Sequence, residues 1–332
     1  MPSNQDLLRV DGLQMHFPIK KGLLSKTVGH VFAVDGVDLF IRPGETLGLV
    51  GESGCGKSTL GRCILRLHDP TQGKIWFQGQ EVTAIKGQGL TRFRSQVQMV
   101  FQDPYASLNP RLRVREIVGE AIRVHKLHPD RSWREQTAHL LQEVGLSPDQ
   151  MDRYAHEFSG GQRQRIGVAR ALAMQPKLIV ADEPVSALDV SIQAQVLNLL
   201  DRLKDRFALS YLVIAHDLGV VEHVSDRIGV MYLGRIVETA SDRELNQNPL
   251  HPYTRALLSA VPKPEAGQRR KRRALLQGDV PSPINPPPGC RFHTRCPDVQ
   301  PECRRIQPVM SEISPGHLVA CHHYAGSEKG CA

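Results

Sequence analysis

The run Gly51-Glu-Ser-Gly-Cys-Gly-Lys57-Ser58 fits the pattern G-x-x-x-x-G-K-[ST]. In such a run Gly51, Gly54 and Gly56 let the backbone curl until successive N–H groups, those of Ser53 and Cys55 among them, face phosphate oxygens. Lys57 is spaced to reach the β and γ phosphates of a nucleoside triphosphate, and the Ser58 hydroxyl to bind Mg²⁺, with Thr59 opening the helix behind it. The pattern carries meaning only between a strand and a helix. The apolar run Thr46 to Val50 precedes it, and Thr59-Leu60-Gly61-Arg62-Cys63-Ile64-Leu65 reads as the helix that follows.

Two further apolar runs end in groups able to act on a phosphate. Leu178, Ile179, Val180 and Ala181 read as a central parallel strand, and Asp182 and Glu183 stand at its carboxyl end, the edge where open α/β sheets place their ligands. Asp182 is suited to orient a Mg²⁺ shell and Glu183 to polarise an attacking water. Tyr211 to Ala215 repeats the pattern and ends in His216-Asp217. Three strands thus deliver a lysine loop, two carboxylates and a histidine to one edge.

Phe158-Ser-Gly-Gly-Gln-Arg-Gln-Arg165 adds a segment that most phosphate-loop proteins lack. With it the chain resembles the ATPases of ATP-binding cassette (ABC) transporters: Ser159, Gly160, Gly161 and Gln162 match that family's signature. Gln102 in Val100-Phe-Gln-Asp-Pro104 resembles its Q-loop, Asp189 in Ser186-Ala-Leu-Asp189 its D-loop, and His216 its switch histidine. Phe158 stands where the family usually has leucine, a change of apolar packing. The resemblance implies an α/β fold: a P-loop NTPase core with a RecA-like parallel sheet and an antiparallel β rim, a helical subdomain, and a Cys/Pro-rich C-terminal extension. The corresponding division is 1–102 and 171–262 for the nucleotide-binding core, 103–170 for the helical signature subdomain and 263–332 for linker and extension. It also implies an active site shared by two subunits, since one copy of each motif supplies half. ATP on one loop is covered by Ser159, Gly160, Gly161 and Gln162 of the facing chain, on a helix running to about Met174. Glu183 is then the general base, His216 a γ-phosphate contact, and Gln102 a sensor of Mg²⁺ and water.

Helical spacing returns at Val114, Ile117, Val118, Ala121 and Ile122, and again at Trp133, Leu140, Leu141 and Val144, as expected of the helical subdomain. Residues 103–110 are read either as the segment transmitting Gln102's position to a coupling helix or as a rigid proline-bounded turn. Gly229 to Glu238 alternates like a rim hairpin, and Tyr253 to Leu258 reads as a final helix. The family stacks adenine on an aromatic ring upstream of the loop. Phe17 is the first candidate and Phe32 the second, with ordinary packing open for either.

The 332 residues, 40% of them hydrophobic, suffice for a sizeable core. No stretch approaches the roughly 20 apolar residues that span a bilayer, and the polar start Met1-Pro-Ser-Asn-Gln-Asp is unlike a signal peptide. The expectation is a cytoplasmic chain, peripheral at the inner face of the cell membrane. A net charge of +8 fits a surface near anionic lipid and fits nucleic acid equally. Its densest part, Arg269-Arg-Lys-Arg-Arg273, reads as a solvated linker.

Past Pro281-Ser-Pro-Ile-Asn-Pro-Pro-Pro-Gly289 stand Cys290, Cys296, Cys303 and Cys321, four of seven cysteines. A cytosolic chain does not normally keep these as disulfides, which leaves metal as a hypothesis. This tail resembles that of ATPase subunits in bacterial dipeptide and oligopeptide importers, some of which hold a [4Fe-4S] cluster there. A [4Fe-4S] cluster on the four cysteines is therefore expected, with zinc or free thiols as alternatives and His293, His322 or His323 able to replace a thiolate. The resemblance spans about residues 5–325, including Lys20-Lys21-Gly22 and His251-Pro-Tyr-Thr254, and is strongest for the second ATPase subunit of dipeptide permeases. It implies a motor subunit that uses ATP and Mg²⁺ to import dipeptides or short oligopeptides. Its implied partners are a second, homologous ATPase in a heterodimer, two transmembrane permease subunits and an extracytoplasmic peptide-binding protein. A nickel importer of the same family is one alternative. A soluble ABC ATPase acting on nucleic acid or ribosomes is another, although the roughly 100 residues between Lys57 and Ser159 hold no long heptad run.

Overall fold

The computed structural model describes residues 6–22, 25–127, 130–260 and 278–324. The basic run Arg269–Arg273 and Cys331 lie outside the described residues. Twelve strands are described: β1 Leu8–Lys21, β2 Lys26–Ile41, β3 Thr46–Val50, β4 Gln72–Phe77, β5 Gln80–Glu81, β6 Val97–Val100, β7 Leu178–Asp182, β8 Ser210–Ala215, β9 Arg227–Tyr232, β10 Arg235–Ser241, β11 Ser311–Ser314 and β12 His317–Val319. The chain divides into two compact α/β units. One comprises 1–8, 41–46 and 77–214, the other 9–40, 47–76 and 215–332.

In the first unit β6, β7 and β8 run parallel, with Met99 opposite Val180 and Val180 opposite Leu212. Every residue of β7 and β8 is buried, which is why these strands read as unbroken apolar runs rather than alternating ones. The helix Val190–Phe207 connects them and turns Val196, Leu197, Leu199, Leu200 and Leu203 inward. The two helical patterns of the sequence form Val114–His125 and Trp133–Glu143. The first buries Val114, Ile117, Val118 and Ile122 at spacings of three and four. Their close approach depends on Gly119, where a Cβ would stand 2.7 Å from the Trp133 ring. The signature helix, Gly160–Leu172, buries Ile166, Val168, Ala169, Ala171 and Leu172.

In the second unit β3 and β9 run parallel, and β10, β12 and β11 follow in that order, each antiparallel to the one before. The β9–β10 hairpin closes at Leu233 and Gly234, both with positive φ (44° and 84°), the pair that a tight two-residue turn requires. A second sheet sets β2, β1 and β4 side by side. Residues 278–324 form turns, the 3-10 segment Pro301–Arg304 and the β11–β12 hairpin. No helix among the described residues is long and apolar enough to cross a membrane.

Candidate functional site

The phosphate loop is built from β3 and the helix Lys57–Ile64. Gly56, the residue before the helix, has φ 107°, and a Cβ there would stand 1.9 Å from the Ala33 carbonyl oxygen. Any larger residue would collide with backbone. Gly51 is confined likewise, 2.1 Å from the Met231 carbonyl oxygen. Lys57 is only 4% exposed. Its Nζ donates to the carbonyls of Gly51 (2.7 Å) and Glu52 (3.1 Å) and lies 3.7 Å from Cys55 Sγ. Those partners carry no formal charge, so the loop holds a buried cation over the first amides of a helix, a donor set suited to a triphosphate. Ser53 and Gly54 are exposed, Ser58 and Thr59 half-buried. Burial pushes the Cys55 thiol up, against the pull of Lys57, so its role is packing rather than reactivity.

At the sheet edge of the other unit, Asp182 is 2% exposed at the end of β7. Glu183 follows with φ 44°, a left-handed conformation that costs a non-glycine residue about 1–3 kcal/mol. It is held there because its N–H donates to Ile214 O (2.9 Å), and its carbonyl accepts from Ser186 N (3.3 Å) and Ser186 Oγ (3.2 Å). Gln102, two residues past β6, donates through Nε2 to Glu183 Oε2 at 2.8 Å. Two residues 81 apart in sequence are thereby joined. His216 follows β8 directly and is exposed, and Asp217 caps the next helix by accepting from Gly219 N (2.9 Å).

The signature opens on reciprocal caps: Ser159 Oγ accepts from Gln162 N (3.3 Å), and Gln162 Oε1 from Ser159 N (3.0 Å). A Cβ on Gly161 would meet Ile192 Cγ2 at 2.5 Å, and one on Gly160 Leu188 Cδ2 at 3.3 Å. Ile192 belongs to the helix that Asp189 begins, so signature and D-loop pack directly. Phe158 is buried beneath the Arg153 guanidinium, 4.9 Å from the ring centroid. Two arginines that the sequence did not single out bind this helix to segment 103–110. Arg163 stacks 3.8 Å from the Tyr105 ring centroid and donates to Ala155 O (2.8 Å), while Arg170 donates to Ser107 O (2.7 Å). The adjacent arginines of the signature were the available clue.

Of the two aromatic candidates, Phe17 packs edge-on to His68 (5.6 Å) and Phe32 edge-on to His16 (4.6 Å). The backbone beside Phe32 is the part that reaches the phosphate loop, through Ala33 O against Gly56.

The expected [4Fe-4S] cluster is overturned. Among the described residues no group of three or more His, Cys, Asp or Glu side chains is placed to hold a metal ion, which removes zinc as well. Cys290, Cys296, Cys303 and Cys321 are free thiols. Burial pushes Cys290 and Cys296 up to about 11, so both free thiols are protonated at neutral pH. The histidines offered as substitutes each bond a main-chain carbonyl through one ring nitrogen: His293 Nδ1 to Cys290 O, His322 Nε2 to Ile306 O and His323 Nε2 to Asp298 O.

The extension is joined to the rim by a buried acid–histidine group. Glu238, fully buried, accepts from Leu250 N (2.7 Å) and His251 N (2.9 Å) and pairs with His317 Nε2 (2.8 Å). Burial alone would raise its pKa, but the bonds from His317 and the two amides hold it below the usual carboxylate range. Burial pushes His251 down to about 4, and its Nδ1 accepts from Tyr253 N (3.1 Å), so the fold uses the neutral ring. The unfolded chain then binds more protons than the folded one between pH 6.5 and 4, and stability falls as pH drops through that window. The expected loss from pH 8 to pH 5 is about 2 kcal/mol, read as a lower Tm, and it is smaller in His251→Asn. Equal Tm values at the two pH values would contradict this.

The ABC transporter family model matches residues 34–186, and the model for the oligopeptide/dipeptide transporter C-terminal region matches 237–303. The chain is 53% identical to the oligopeptide transport ATP-binding protein AppF of Bacillus subtilis, over 97% of this chain and 99% of that one. It is 52% identical to the oligopeptide transport ATP-binding protein OppF of Salmonella typhimurium, over 95% of each. Among solved structures, a dimeric ATP-binding cassette in a post-hydrolysis state with ADP and Pi aligns with TM-score 0.63 at 27% identity, covering 71% of this chain and 99% of that one. The cbiO1 protein of Clostridium perfringens, part of an ABC transporter complex, aligns with TM-score 0.63 at 26% identity, covering 73% and 90%.

Proposed function

This chain belongs to the ABC transporter ATPases, in the oligopeptide and dipeptide importer branch, and from that premise we propose how its residues drive transport. It is an ATP-hydrolysing motor subunit of a peptide importer. The observation that carries the chemical reading is the 2.8 Å bond between Gln102 and Glu183, with Glu183 fixed in a left-handed conformation beside buried Asp182.

Lys57 leaves the carbonyls of Gly51 and Glu52 for the β and γ phosphates, and the amides from Gly54 to Thr59 hold the remaining oxygens. The Ser58 hydroxyl is the group that would bind Mg²⁺, and the Asp182 carboxylate the one that would orient its shell. Mg²⁺ would there offset the charge that develops during transfer. Glu183 accepts the proton of the attacking water, Gln102 fixes the direction of that carboxylate, and His216 contacts the γ-phosphate. Ser159, Gly160, Gly161 and Gln162 present a helix N-terminus to the nucleotide of the facing subunit, with Asp189 at the same junction. Adenine stacks on Phe17 or Phe32, and the nearness of Ala33 to Gly56 favours Phe32.

In the same reading residues 1–102 and 171–262 form the nucleotide-binding core, 103–170 the signature subdomain that meets the permease, and 263–332 the linker and extension. The partners are a second, homologous ATPase, two transmembrane subunits and an extracytoplasmic peptide-binding protein. The chain works peripherally at the cytoplasmic face of the membrane, without nucleic acid. Purification from detergent-solubilised membranes is expected to bring down two membrane-spanning proteins and a second cassette. Recovery with RNA or DNA and no membrane protein would overturn the assignment.

A further inference from the structure

A carboxylate inside a loop built for a triphosphate is an electrostatic liability, and Glu52 is the second residue of that loop. Arg295, 243 positions away in the extension, takes it with both arms: Nη1 donates to Oε2 at 2.7 Å and Nη2 to Oε1 at 3.0 Å. The guanidinium is 6% exposed and the carboxylate 26%, so the fork is largely out of water. The Glu52 N–H donates to Tyr253 Oη at 2.9 Å, and the Glu52 carbonyl receives Lys57 at 3.1 Å.

The residues that hold this carboxylate are themselves fixed. Tyr232, Tyr253 and Phe292 pack against one another with ring centroids 4.8, 5.2 and 5.4 Å apart, and Arg295 lies 5.9 Å from the Tyr232 centroid. Phe292 is 1% exposed and precedes Arg295 by one turn of chain. The hairpin turn braces the loop at a second point, because Gly234 N donates to Cys55 O (2.8 Å) while Arg291 donates to Leu233 O (2.7 Å).

We propose that Arg295, with Tyr253, is a positioning residue for ATP: it cancels the charge of Glu52 and fixes the curvature of the phosphate loop from the C-terminal extension. The inference rests on the reading of residues 51–59 as the nucleotide loop. Lys57 and the loop amides touch the phosphates, and Arg295 acts on them only through Glu52. The extension is therefore part of the nucleotide site rather than an appendage to it.

The test uses the assembled importer and reads ATP hydrolysis against ATP concentration. Arg295→Met leaves Glu52 charged and unpaired, and is expected to raise KM for ATP about tenfold with kcat changed less than about twofold. Adding Glu52→Gln to it removes the stranded charge and is expected to return KM to within about threefold of wild type. Arg295→Lys, which keeps the charge and loses the fork, falls between. A brace with no electrostatic role would leave the double variant no better than Arg295→Met, and that result overturns the proposal, as does an unchanged KM in Arg295→Met. Lys57→Ala separates the two layers. If it retains wild-type KM, the loop itself is misassigned; if it abolishes binding while Arg295→Met binds normally, the clamp alone is wrong.

Discussion

Glu183→Gln is expected to lower ATP turnover by about 10²–10⁴-fold, the range that removal of a general base produces, while ATP binding persists. Glutamine has nearly the volume of glutamate and keeps an oxygen able to accept from Gln102 Nε2, so the 2.8 Å contact can survive. What is lost is the capacity to take the proton from water. Binding without hydrolysis then accumulates the ATP-bound dimer, visible as a larger species by size-exclusion chromatography with light scattering. The backbone argues for the same role. Glu183 sits at φ 44°, pinned by Ile214 O and Ser186, and strain of this kind persists where the surroundings hold a side chain in one direction. Wild-type turnover in Glu183→Gln would remove the residue from the chemistry.

Lys57→Ala is expected to weaken ATP binding itself, by about 10²–10³-fold in Kd, because a buried charge-assisted contact to phosphate is deleted. Lys57 is 4% exposed and held by carbonyls alone among its described hydrogen-bond acceptors of oxygen type, a cation in place before the anion arrives. The two variants therefore separate: Glu183→Gln binds and does not turn over, whereas Lys57→Ala does neither. A titration with a fluorescent ATP analogue reads the difference, and equal affinity in Lys57→Ala and wild type would count against the loop.

The elements that position the site were legible where a short apolar run is its own signal. Thr46–Val50 is the strand read from the sequence, and Leu178–Asp182 and Ser210–Ala215 exceed their readings by one residue each, because both faces of these strands are covered. The helix at Trp133 was legible from its spacing, and the structure adds a start at Ser132, whose Oγ accepts from Glu135 N at 3.2 Å. Contacts across long sequence separations left no periodic trace. The fork from Arg295 to Glu52 spans 243 residues, and neither residue is unusual in its local context. The Tyr253 contact was visible only as the run His251-Pro-Tyr-Thr254, with nothing to say that its hydroxyl ends on the phosphate loop.

The cysteines show the converse. Four thiols in a proline-rich tail suggested a ligand set, yet spacing does not say whether side chains are placed to hold a metal ion, and among the described residues no group of three or more His, Cys, Asp or Glu is so placed. The extension is held instead by aromatic packing, the Glu238–His317 contact and the Arg295 fork.

Peptide import driven by this chain's ATPase is tested most directly by uptake of a labelled dipeptide, a longer peptide and nickel in cells whose only copy carries Glu183→Gln, beside cells with the wild-type chain. Loss of peptide uptake with nickel uptake intact is the predicted result. Undiminished uptake of both peptides would contradict the account.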